Sequence, residues 1–83
     1  MRLREDVSVV DTNYGKVLLD GRTGEYWELN PTGGLVVTAL LDGTPAENVA
    51  GLLCAEFDVA QDRARADVTA LLTALRDAGL VRA

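Results

Sequence analysis

The sequence predicts an α+β domain in which a three-stranded antiparallel sheet is followed by three helices. Three observations carry this. Short β-branched runs separated by turn residues fill the first third, apolar residues at helical spacing fill the rest, and helix start and stop signals punctuate the chain from Asn30 onward.

The first strand is Val7 to Thr12, and Asn13-Tyr14-Gly15 provides the turn to a second strand over Lys16 to Asp20. Asp20-Gly21-Arg22-Thr23-Gly24 concentrates turn residues, with Asp20 able to cap the loop and Gly24 suited to a positive φ. The third strand is Glu25 to Leu29. Short turns favour a meander, and alternation directs Trp27 and Leu29 to one face and Tyr26 and Glu28 to the other.

Asn30 is a good N-cap and Pro31 suits the first position of a helix reaching about Leu41. Gly33-Gly34 inside it fits either close packing against the sheet or a late helix start. The second helix carries a capping-box pattern, with Thr44 as N-cap, Pro45 at the first position and Glu47 at the third. The third helix runs from about Gln61 to Ala78 along an apolar arc of Ala64, Val68, Leu71, Leu72 and Leu75. Gly79-Leu80 then supplies a Schellman-type stop.

At 83 residues the chain is read as one domain, residues 1–83, with a thin stability margin. The net charge of −5 is spread evenly, four basic against seven acidic residues over 1–43 and four against six over 44–83. No basic half or tail exists to attract nucleic acid or an anionic membrane. A single cysteine, no apolar signal segment and no apolar run near 20 residues lead to the expectation of a cytoplasmic protein.

Catalysis finds little support. The chain has no histidine, and Cys54 sits among Leu52, Leu53 and Phe57, where a structural thiol is the better reading. Ser8 is the only serine and has no base partner. The nearest carboxylate pairs, Asp58 with Asp62 and Glu25 with Glu28, read as solvated surface charge. Phosphate-loop, calcium-loop and cysteine metal motifs are absent, so no cofactor is expected.

Binding is better supported. An open meander leaves strand edges whose main-chain groups a peptide can pair with, and the third strand carries Tyr26 and Trp27. On the third helix, Asp67, Ala70, Ala74 and Ala78 flank the apolar arc. This row of small residues is consistent with a shallow groove, and equally with alanine as a plain helix former.

The string Gly15 to Asp20, then Thr23 through Gly33, with Asp67-Val68 and Leu75 through Val81, resembles the PqqD family, most closely its stand-alone leader-recognition members from lasso-peptide clusters. That resemblance implies a winged-helix-like fold without cofactor or chemistry. In it, the leader of a ribosomally made precursor adds as a strand to the third strand and packs on the last helix. The residues so implied are Glu25, Tyr26, Trp27, Glu28 and Leu29 on the strand, and Ala64, Asp67, Val68, Leu71, Ala74 and Leu75 on the helix. The implied partners are the precursor leader peptide, a separate leader peptidase and a downstream lasso cyclase. Where relatives often carry Asp or Ser before the last helix, this chain has Ala60, and an aromatic common near Val37 is absent. A PqqD-type chaperone for a radical enzyme is the alternative of the same class. A winged-helix DNA-binding protein is the alternative of another, opposed by the interleaving of Arg63 and Arg65 with Asp62 and Asp67.

Overall fold

The computed structural model describes residues 1–82. In chain order the elements are β1 (Arg2–Leu3), β2 (Val7–Thr12), β3 (Gly15–Asp20), β4 (Tyr26–Leu29), α1 (Pro31–Leu41), α2 (Ala46–Glu56), α3 (Gln61–Asp77) and β5 (Val81–Arg82). The three strands read from the sequence are β2, β3 and β4, which form an antiparallel sheet in that order. The α+β architecture of a three-stranded sheet followed by three helices therefore stands.

Two additional strands were not legible. β1 and β5 pair antiparallel, Arg2 opposite Arg82 and Leu3 opposite Val81, tying the two ends of the chain together. At two residues each, they are too short to leave a periodic signal.

Each turn of the meander has a local cause. A Cβ at Gly15 would collide with the Leu29 carbonyl, so β3 and the end of β4 approach as they do only because that residue is glycine. In the β3–β4 turn, Asp20 Oδ1 accepts from the amides of Arg22 and Thr23 at 2.8 and 3.4 Å, and Gly24 takes a φ of 78°.

The helix ends divide into those the sequence marked correctly and one it did not. Asn30 caps α1, its side chain accepting from the Gly33 amide at 2.8 Å. The helix is regular from Pro31, which excludes a late start; a Cβ on Gly34 would meet the Lys16 side chain at an ordinary contact distance of 3.5 Å, whereas one on Gly33 would crowd Asn30 Oδ1 at 3.2 Å. The stop of α3 is a Schellman motif, with Gly79 at φ 72°, the Leu80 amide donating to the Leu75 carbonyl and the Gly79 amide to that of Arg76. Leu80 is fully buried beside Leu75.

The capping box on α2 is a correction. Pro45, not Thr44, occupies the N-cap, and no side chain caps the helix, which begins at Ala46. The Thr44 amide instead donates to the Ala39 carbonyl at 3.0 Å, which holds Thr44 in the turn that leaves α1. α3 also starts without a side-chain cap, because its N-cap residue is Ala60.

Two apolar clusters fill the interior. One joins the helices through Val36, Leu40, Val49, Leu53, Ala64 and Val68. The other joins the sheet to α1 and α3 through Val7, Leu18, Val37, Leu75 and Leu80, with Trp27 packed at its margin.

A polar clamp closes the end of the domain opposite the α1 N-terminus. Arg4 donates to the buried Asp20 carboxylate at 2.6 Å, to the Gly79 carbonyl at 2.8 Å, and to the side chain of Asp6. The Gly21 amide in turn donates to the Asp6 carbonyl at 2.7 Å. The Arg4 hydrogen bond, followed by that of the Arg22 amide, pulls the Asp20 carboxyl down from 3.8 to about 2, against the opposing pull of burial.

Two predictions follow from these ends. Replacing the exposed Ala60 by Asp or Ser supplies the missing cap at a backbone already extended, and should stabilise the protein by about 1 kcal/mol, raising Tm by roughly 4–8 °C. An unchanged melt would show that the first turn of α3 is satisfied in some other way. For Asp20, the depressed carboxyl makes its contribution fully present above 3.8 and lost as pH falls from 3.8 to about 2. Asp20→Asn should therefore melt below the parent at neutral pH. The gap between the two melts should close across that acid window, which circular dichroism melts at several pH values would follow.

Candidate functional site

With strand order β2-β3-β4, β4 is an edge of the sheet. The Asp20 amide donates to the Glu25 carbonyl at 2.9 Å, continuing the register that pairs Leu19 with Tyr26 and Leu18 with Trp27. Main-chain groups alternate in direction along an antiparallel ladder. Those of Glu25, Trp27 and Leu29 thus turn toward β3, and those of Tyr26 and Glu28 point out from the open edge. Glu25 itself lies in the turn before β4 and not in the strand.

Side chains follow the expected alternation. Trp27 and Leu29 are half-buried and pack on the sheet-side core, whereas Tyr26 is 62% exposed and Glu28 is exposed. Trp27 is thereby a support for the strand from behind.

Beside this edge lies a hollow of about 480 Å³. Its walls come from the end of β4 (Glu28, Leu29), the start of α1 (Asn30, Thr32, Gly33, Val36) and the middle of α3 (Asp67, Ala70, Leu71), with Leu53 and Val59 between. Gly33 keeps this wall open. A Cβ there would crowd the capping Asn30 Oδ1 at 3.2 Å and stand 3.5 Å from the Leu29 side chain, so a larger residue would grow into the space. A second depression, formed with Asn13, Tyr14 and Pro31, shares Glu28, Leu29 and Asn30 with the first. The two adjoin at the end of β4.

Of the residues singled out from sequence, Glu28, Leu29, Asp67 and Leu71 meet around this hollow. Tyr26 and Trp27 flank it along the strand. Ala64, Val68 and Leu75 are at most 3% exposed and pack in the core, not on the hollow. They form the stripe by which α3 is anchored, and the groove face is one position around, at Asp67, Ala70 and Leu71. Ala74 is exposed and lies outside the hollow. The sequence reading missed the contribution of α1: Asn30, Thr32, Gly33 and Val36. The Gly33-Gly34 pair was the one available signal.

Among the described residues no group of three metal-ligating side chains occurs, and no helix is long and apolar enough to cross a membrane. Cys54 is half-buried against the helical core, away from the hollow.

The site is thus an open strand edge beside an apolar hollow on a small α+β domain. The protein belongs to the PqqD family: the family model described as coenzyme PQQ synthesis protein D (PqqD) matches residues 15–81. Two solved structures are similar over nearly the whole length. One, described as lasso peptide synthetase B1 complexed with the leader peptide, is 48% identical with a TM-score of 0.91, covering 99% of this chain and 96% of its own. The other, TbiB1 in complex with the TbiA(beta) leader peptide, is 28% identical with a TM-score of 0.84, covering 96% and 93%. No curated protein matches the chain.

Proposed function

We propose that this protein binds the leader segment of a ribosomally made precursor, a lasso peptide, and delivers it to a separate leader peptidase without performing chemistry itself. The leader adds as a strand to the open edge of β4, pairing with the main chain of Tyr26 and Glu28. One of its apolar side chains enters the hollow between β4 and α3. Holding the leader in this way raises its effective concentration at the peptidase, and the cyclase acts downstream.

The observation that carries this reading is the coincidence of an unpaired strand edge with an apolar hollow on the same side of the domain. The described leader complexes of the two similar proteins support it, and the first, described as a lasso peptide synthetase, favours a lasso-peptide pathway over service to a radical enzyme. The acidic balance of the chain and the exposed, interleaved charges of α3 speak against a DNA-binding role.

Two measurements test it, both using the leader peptide complexed with the 48% identical lasso peptide synthetase B1. Ala70 lines the hollow and is exposed, so Ala70→Trp should obstruct it and weaken leader binding about tenfold or more, while changing stability by no more than about 0.5 kcal/mol. Ala74→Trp, one turn along and outside the hollow, should bind as the parent does. Equal effects of the two, by fluorescence anisotropy, would remove the hollow from the reading. Separately, methylating the leader amides one at a time should weaken binding at alternate residues over the paired stretch. A scan without alternation would argue against strand addition.

A further inference from the structure

We propose that the groove selects leaders in which a basic side chain neighbours the apolar anchor, with Glu28 and Asp67 as the residues that set this preference. The proposal rests on the leader-binding reading above and specifies the chemistry of the segment that reading leaves open.

The argument is one of charge placement. Glu28 and Asp67 approach the hollow from opposite walls, the first from β4 and the second from α3, and both are exposed. No lysine or arginine lines the hollow to balance them. Glu28 also borders the adjoining depression at the end of β4, so a chain that leaves the edge at that end passes its carboxylate. Among the described residues the one cation paired with either group is Arg63. It reaches Asp67 at 3.4 Å along the helix surface, with both side chains more than half exposed. An exposed pair of this kind is weak and readily exchanged for another cation. The apolar floor at Leu29, Val36 and Leu71 fixes where the anchor sits, and the carboxylates then lie at the rim around it. Charges at the rim of an interface act on specificity and association more than on total affinity. An acidic side chain beside the anchor would face two like charges, whereas a lysine or arginine would be drawn to them.

The test is a pair of scans of the same leader, every residue replaced in turn by Lys and by Glu, measured by anisotropy in low and high salt. Near the anchor, Lys should bind roughly three- to tenfold more tightly than Glu, the difference shrinking in high salt. The preference should vanish in Glu28→Gln/Asp67→Asn and invert in Glu28→Lys/Asp67→Lys, both at exposed positions that leave the core intact. Flat scans with a leader that binds normally would overturn this proposal alone, as would a preference that persists undiminished in the Gln/Asn variant. A leader that fails to bind the parent protein at any salt concentration would overturn the leader-binding reading along with it.

Discussion

The salt link between Arg4 and Asp20 is the constraint on which the geometry of the groove depends. Through one guanidinium it joins the segment after β1, the β3–β4 turn and the carbonyl of Gly79 just past α3. The groove has β4 on one side and α3 on the other, and no hydrogen bond joins these two elements directly across the hollow. Their spacing is held by the shared apolar cluster, which takes in Trp27 and Leu29 from β4 and Leu71 and Leu75 from α3, and at the far end by the clamp, which fixes the turn that leads into β4 relative to the C-terminus of α3. Asp20 is buried but fully satisfied, accepting from Arg4, Arg22 and Thr23, and no buried side-chain polar atom among the described residues lacks a partner. A network satisfied in this way specifies one arrangement, because a slip of the hairpin would strand the carboxylate in the interior. Leu80, locked by the Schellman stop and buried against Leu75, holds the same junction from the apolar side.

Much of this fold could be read from local chemistry. Asn30-Pro31, the β3–β4 turn and Gly79-Leu80 each behaved as their residue types require, since caps and turns are decided within a few residues. Thr44 failed for an instructive reason. Its capping pattern is sound in isolation, but its amide is claimed by the Ala39 carbonyl in the stop of α1, where the Gly43 amide also donates to Leu40, so one local motif overrode another. β1 and β5 failed differently, because a two-residue pairing between chain ends is a purely long-range event.

The site was legible in part, and the division is physical. Alternation on β4 correctly separates inward Trp27 from outward Tyr26, because a strand buried on one face has only two sides. A helix packed on two neighbours offers no such certainty. The apolar arc of α3 marks the side that meets the rest of the domain, yet periodicity does not separate the stripe that is sealed from the margin that stays open. Ala64, Val68 and Leu75 are sealed, while Leu71, on the same arc, reaches both the core and the hollow. The contribution of α1 was harder still to see, since Gly33 acts by having no side chain at all.

An open strand edge is a hazard for a domain of this size, since any exposed strand can pair with it. Glu28 on the edge and Glu25 just before it supply the charge that discourages two copies from meeting there, each edge presenting the same sign to the other. Glu28 also bears on the proposed choice of ligand. In the proposed mode a chain that neutralises Glu28 and Asp67 gains main-chain hydrogen bonds from Tyr26 and Glu28 and an apolar contact at Leu29 and Leu71. Because such a ligand binds only the folded domain, its binding energy adds to the stability of the fold. Protection of the edge against self-association and selection among partners are then a single electrostatic property, expressed in the empty and the occupied groove.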